Sequence, residues 1–286
     1  MEKTGILLAA PALALLVLLF GYPIFFNFYL SFFRLNLYVS PEKAFVGFDN
    51  YINVLEDSLF YGALINTTFF AAASVALEFI IGLILALLLS EIEGIWMRIL
   101  GAALMIPMFL SEIIEGVVGQ LLFSPRIGLV NALTGSLLGV EFPWITSRTL
   151  AMWTIIIVDT WKMLPFFVLI FLAAIVSIPK DLKEAMDLDG ASTLQHVRFL
   201  IIPYMLPVFA VATVMRAIDA FTKVFGVVYV MTFGGPGLAT DVVPLRIFNL
   251  ALRAFRWGSA ATWGVFAFLI SIILVVIYVF VKRRWT

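Results

Sequence analysis

Apolar positions along this chain gather into six long runs, and most of the polar positions fall between them. A helix crossing ~30 Å of hydrocarbon needs ~20 mostly apolar residues. Residues 5–28, 64–89, 99–123, 150–176, 204–230 and 260–281 meet that length, so the pattern predicts six membrane-spanning helices. The expected fold class is an all-α integral membrane protein, with one transmembrane domain over residues 1–286. The first run could be a secretory signal. It is long, however, and is preceded only by Lys3 against Glu2, so an uncleaved span is expected. No internal repeat, low-complexity segment or compositional break marks a second domain.

The clearest polar interruption separates the fourth and fifth spans, over about residues 178–203. Pro179 suits the first turn of a helix, where its missing N–H is no loss. Residues 180–188 carry good helix formers, with Leu182, Ala185 and Met186 on one face. Gly190 can adopt the left-handed conformation that closes a helix, and Ser192 with Gln195 forms the S-x-x-Q box that opens another. Pro203 then leads into the fifth span. A helix-turn-helix is predicted, and helices this short are marginal alone in water. Its apolar face therefore needs another surface to cover it.

Composition agrees with a membrane protein: 63% of residues are hydrophobic and 13% charged, against roughly half and a quarter in soluble domains, and mean hydropathy is +1.11. With formal net charge zero, no basic surface suggests nucleic acid. There is no cysteine, and no Gly-Lys pair that a phosphate-binding P-loop would require. Even parity puts both termini on one side. Lys282-Arg283-Arg284 directly after the last span argues that this side is cytoplasmic, although the remaining Lys and Arg residues divide almost evenly between the two faces.

Ionisable residues inside spans are rare and usually face the bundle interior. Here they are Glu78 in span two, Glu112 and Glu115 in span three, Asp159 and Lys162 in span four, and Arg216, Asp219 and Lys223 in span five. Arg216, Asp219 and Lys223 share a helical face at i, i+3 and i+7, as do Asp159 and Lys162 at i, i+3. Two readings are open. These groups form internal ion pairs, Asp159 with Lys162 and Arg216 with Asp219, or they line a polar pathway. Glu112 and Glu115 lack a partner in their own span and fit the pathway better, whereas Glu78 fits a structural role. Trp96, Trp144, Trp257 and Trp285 lie near expected interfaces. The one histidine, His196, sits in the polar loop. No nucleophile–base set, paired catalytic acids or metal-ligand spacing occurs, so neither a catalytic nor a metal site is expected.

The loop pattern Glu184-Ala185-Met186, then Asp189-Gly190-Ala191 and later Pro203, resembles the EAA loop of permease subunits from binding-protein-dependent ABC importers. Met186 stands where that pattern has alanine. Phe45 through Tyr51, Asn66-Thr67-Thr68, Trp161 through Phe166, and Phe221 through Pro236 resemble the sugar-type, maltose-permease-like branch. Two positions depart from that branch: Gly226 where Asp is common, and Glu112 where an apolar residue or Pro is usual. The resemblance implies a cytoplasmic loop that inserts into an ATPase subunit, with Glu184, Ala185, Asp189, Gly190, Ala191 and Pro203 as its coupling residues. It implies a multi-pass plasma-membrane protein with both termini cytoplasmic. It further implies ATPase subunits that hold ATP and Mg, a second related permease chain, and an extracytoplasmic substrate-binding protein, with no cofactor on this chain. Outer loops such as Gly234-Gly235-Pro236-Gly237 would face that binding protein. Carbohydrate is the substrate class implied. A polyol or glycerol phosphate, or an ion-coupled secondary transporter, are the alternatives.

Overall fold

The computed structural model describes residues 10–92 and 94–283. Glu2, Lys3, the start of the first expected span and the terminal Arg284 and Trp285 lie outside the described residues. Helices long and apolar enough to cross a membrane cover Ala10–Ser31, Ser58–Ser90, Leu150–Val176, Thr193–Thr222 and Trp257–Val276, and a bent pair, Ile95–Phe109 with Glu112–Leu122, makes a sixth. The chain divides into two compact units.

The first unit joins the chain up to Ala63 with Val243–Ile270. Helix α1 (Ala10–Ser31) leads into an antiparallel hairpin, β1 (Phe33–Asn36) and β2 (Ser40–Phe45), in which Phe33 faces Phe45. Helix α2 (Asp49–Glu56) follows, and α3 (Ser58–Ser90) begins in this unit. The buried Asn50 amide donates to the Ser31 and Phe33 carbonyls at 2.8 and 3.0 Å, satisfying backbone groups where the first span ends. Phe60 packs edge-on against the buried Trp263 ring, with centroids 5.1 Å apart. Packing is thus the role of Trp263.

The second unit holds most of α3, then α4 (Ile95–Met105), α5 (Glu112–Leu122), α6 (Leu129–Leu138), α7 (Leu150–Val176), α8 (Lys180–Leu188), α9 (Thr193–Thr222) and α10 (Phe225–Met231). Its centre is α7: 56% of its most apolar stretch is buried, against 33% for α3 and 17% for α9. Phe79, Phe167, Phe171 and Phe209 form an edge-to-face core with centroid separations of 4.9–5.9 Å. Gly82 permits the approach, because a Cβ there would sit 2.6 Å from the Phe167 Cβ.

Two expected spans are corrected. The third, expected as one helix over 99–123, bends by 100° between Phe109 and Glu112. Pro107 lies in a tight Ile106–Phe109 turn that ends α4, and Ser111 restarts the helix by accepting the Ile114 N–H. The fifth, expected over 204–230, instead runs from Thr193 to Thr222. Pro203 does not separate loop from span. A wider π turn at Val197–Ile201 directs the Ile202 N–H to the carbonyl five residues back, and the helix continues through the proline. The tail of the expected span turns at Lys223 and Val224 and becomes the separate helix α10.

Helices α5 and α10 pack through glycines. A Cβ on Gly116 would stand 2.7 Å from the Val230 Cβ, and one on Gly119 would stand 2.7 Å from the Met231 sulfur. Small residues let helix backbones approach where apolar lipid offers no hydrophobic drive to association.

Candidate functional site

Helices α3, α5, α7 and α9 each carry charge into the interior of the second unit. Arg216 on α9, 2% exposed, is the hub. Its Nε and Nη2 donate to the two oxygens of Glu78 at 2.8 Å each, a bidentate pair with α3. Nη2 also donates to Asp159 on α7, and Nη1 donates to Asp219 Oδ2 at 3.3 Å. The second Asp219 oxygen takes the Lys223 ammonium at 2.6 Å. A separate buried pair joins Lys162 on α7 to Glu115 on α5 at 2.7 Å. A guanidinium in apolar surroundings is costly unless it is paired and hydrogen-bonded, and here three carboxylates accept four hydrogen bonds from it.

The pairing expected within span four does not form. Asp159 turns to Arg216 and Lys162 to Glu115, so ion pairing links different helices. The Arg216–Asp219 pair does form, but as the longest contact in the cluster. Glu78 was read as a structural group, and it makes the bidentate pair with Arg216 that ties α3 to α9. The signal was present: a lone carboxylate in a long apolar span must find a cation on another helix.

Against this cluster lies a cavity of about 650 Å³, within the range of small-molecule sites. Glu112, Asp159, Lys162, Arg216, Asp219 and Lys223 line it, together with Met108, Met163, Phe166 and Phe225. Of the expected pathway residues, only Glu115 stands back, holding Lys162. Glu112 sits at the N-terminus of α5, and its Oε2 accepts the Gly226 N–H at 3.1 Å in the first turn of α10. A Cβ on Gly226 would collide with the Glu112 Cβ. The two departures from the sugar-type pattern therefore face one another, one supplying a carboxylate and the other the room for it.

The Gly234-Gly235-Pro236-Gly237 turn is held from two sides. Asn66 donates to the Leu238 and Asp241 carbonyls at 3.1 and 2.9 Å, and Arg148 donates to the Gly237 carbonyl at 2.9 Å. At the opposite sequence landmark, α8 closes with Gly190 at φ +71° and the Ala191 N–H on the Met186 carbonyl. The capping box is complete: Gln195 Oε1 accepts the Ser192 N–H at 2.6 Å, and Ser192 Oγ accepts the Gln195 N–H at 3.4 Å. Glu184, Ala185, Leu188 and Leu194 are exposed there, while the His196 ring lies 3.3 Å from the Asp187 carboxylate.

Residues 78–286 match the family described as binding-protein-dependent transport system inner membrane component. The chain belongs to this family. It is accordingly a multi-pass membrane transport subunit and not an enzyme. Among relatives of this transport family, the trehalose/maltose transport system permease protein MalF of Thermococcus litoralis is 36% identical over 99% of this chain and 95% of its own length. The trehalose transport system permease protein SugA of Mycobacterium tuberculosis is 30% identical over 98% of this chain and 88% of its own. The fold matches a chain of a crystallised bacterial ABC transporter that imports the acidic polysaccharide alginate. The TM-score is 0.84 and the identity 23%, covering 100% of this chain and 97% of the other.

Proposed function

We propose that this permease subunit carries a carbohydrate into the cytoplasm, within an ABC importer fed by an extracytoplasmic binding protein. The observation that carries the reading is the polar cavity on α5, α7 and α9, in a chain whose relatives are named for trehalose and maltose transport. Carboxylates and cations side by side with aromatic and methionine surfaces offer hydrogen bonds to hydroxyls and apolar area to sugar rings. ATP and Mg belong to separate ATPase subunits, and a second related permease completes the pathway. The chain acts as one transmembrane domain with both termini and the 178–203 loop in the cytoplasm.

The coupling route follows from α9. Its docking end, beginning at Thr193, and its charge hub at Arg216 lie on one continuous helix, so at 1.5 Å per residue they are roughly 35 Å apart. Closure of the ATPases moves α8 and the start of α9, and the helix carries that motion to Arg216. Glu78 and Asp159, held on Arg216, then transmit it to α3 and α7. Glu184 and Gly190 are the coupling residues of this account. Affinity isolation of the tagged chain from native membranes tests it. Co-isolation of an ATPase and a second permease is expected, and a lone chain that transports under an ion gradient would overturn it.

A further inference from the structure

We propose that the cavity selects uncharged carbohydrates and rejects anionic ones, with Glu112 as the residue that enforces the choice. The inference rests on the carbohydrate reading above and deepens it by naming the charge class of the substrate.

Three observations lead to it. First, no cation of the cluster is free. Lys162 is held by Glu115 at 2.7 Å, Lys223 by Asp219 at 2.6 Å, and Arg216 by three carboxylates. At Lys162 or Arg216 a uronate, sulfonate or phosphate would have to displace Glu115, Glu78 or Asp159, leaving a buried acid without a partner. At the more exposed Lys223 it would have to compete with Asp219. Second, the helix starts at the cavity are already capped. Broken helices commonly turn their positive ends toward anionic substrates. Here Ser111 Oγ accepts the Ile114 N–H at the start of α5, and Glu112 Oε2 accepts the Gly226 N–H at the start of α10. Third, Glu112 has no ion-pair partner within 4 Å among the described residues, and only one of its oxygens is engaged there. Its other oxygen is left on a residue that lines the cavity. A carboxylate so placed accepts a hydrogen bond from a sugar hydroxyl and repels a second carboxylate. Five carboxylates (Glu78, Glu112, Glu115, Asp159 and Asp219) against three cations also leave the cluster with an excess of acids.

The chain contains no cysteine, which allows a direct test in the assembled transporter. Met163 lines the cavity. Met163→Cys would be introduced, and its modification by uncharged methyl methanethiosulfonate followed on this chain by intact mass. Maltose and trehalose serve as neutral probes and digalacturonate as the anionic one. With Glu112 present, at least one neutral sugar is expected to slow modification, and digalacturonate to require at least about tenfold more for equal protection. Glu112→Lys should bring digalacturonate to parity or better. Glu112→Gln, which keeps an oxygen for the Gly226 N–H, should narrow the gap without reversing it. Equal protection by digalacturonate with Glu112 in place overturns the charge selection while leaving the carbohydrate pathway standing. Discrimination that survives both substitutions removes Glu112 as the selecting group and overturns the proposal. Protection by no probe in any background rejects the cavity as the carbohydrate pathway, and the present inference with it.

Discussion

Removing Glu78 probes the architecture of the charge cluster. Its side chain is fully buried and meets Arg216 through two 2.8 Å hydrogen bonds. Losing one member of a buried ion pair costs ~3–5 kcal/mol, mostly because the other charge is left uncompensated. Asp159 and Asp219 remain on Arg216 in Glu78→Ala, so compensation is partial and the low end, ~3 kcal/mol, is expected. Asp219 differs. Its side chain is 27% exposed, its bond to Arg216 is 3.3 Å, and its other partner, Lys223, is 65% exposed. Pairs of that exposure contribute ~0–1 kcal/mol, so Asp219→Ala should change stability little. The assay is the thermal midpoint of the purified transporter complex, read beside the amount of inserted chain. The triple change Glu78→Leu, Asp159→Leu and Arg216→Met, which replaces the guanidinium and both of its buried acids by apolar groups, should recover most of the lost stability but not transport. A larger loss from Asp219→Ala than from Glu78→Ala, or no recovery in the triple variant, would refute the assignment of Arg216 as a hub anchored on α3.

Further outcomes follow from the packing and the loop. Gly116→Val places a branched side chain against Val230, where even a Cβ would be 2.7 Å away. It should lower the thermal midpoint, and Val230→Ala should restore part of the loss. Gly190→Val, at φ +71°, carries a penalty of ~1–2 kcal/mol confined to the loop. The spans should insert normally while ATPase co-purification and substrate-stimulated hydrolysis fall, and full retention of both would remove Gly190 from the coupling route. For topology, a cysteine at Lys183 should resist impermeant thiol reagents in intact cells while one at Asp49 reacts. The reverse pattern would invert the orientation.

Spans and loop were readable because they rest on local rules. Apolar run length gives the number of spans. The Gly190 closure and the Ser192–Gln195 box formed as those residues dictate, since capping chemistry reaches only a few positions along the chain. The errors lie where distant partners decide. Arg216 stood within reach of Asp219 in sequence, yet the interior gave its best donors to Glu78, 138 positions away. Lys162 likewise passed over Asp159 for Glu115. A helical wheel holds no information on which helix lies opposite. The break at Phe109–Glu112 had a local signal in Pro107 and Ser111, masked by the unbroken apolar run around them. The facing of Glu112 and Gly226 belongs to the first kind of error: two isolated oddities in sequence, and one contact in space.

The central claim is ATP-driven carbohydrate import through this subunit. Its most direct measurement is uptake of labelled maltose and trehalose into proteoliposomes containing this chain, its partner permease and the ATPases. The binding protein would be added outside and ATP enclosed within. The account predicts accumulation of sugar that requires both ATP and binding protein, persists after ionophores collapse ion gradients, and fails with Glu184→Lys. Accumulation that follows an imposed ion gradient and proceeds without ATP would contradict it.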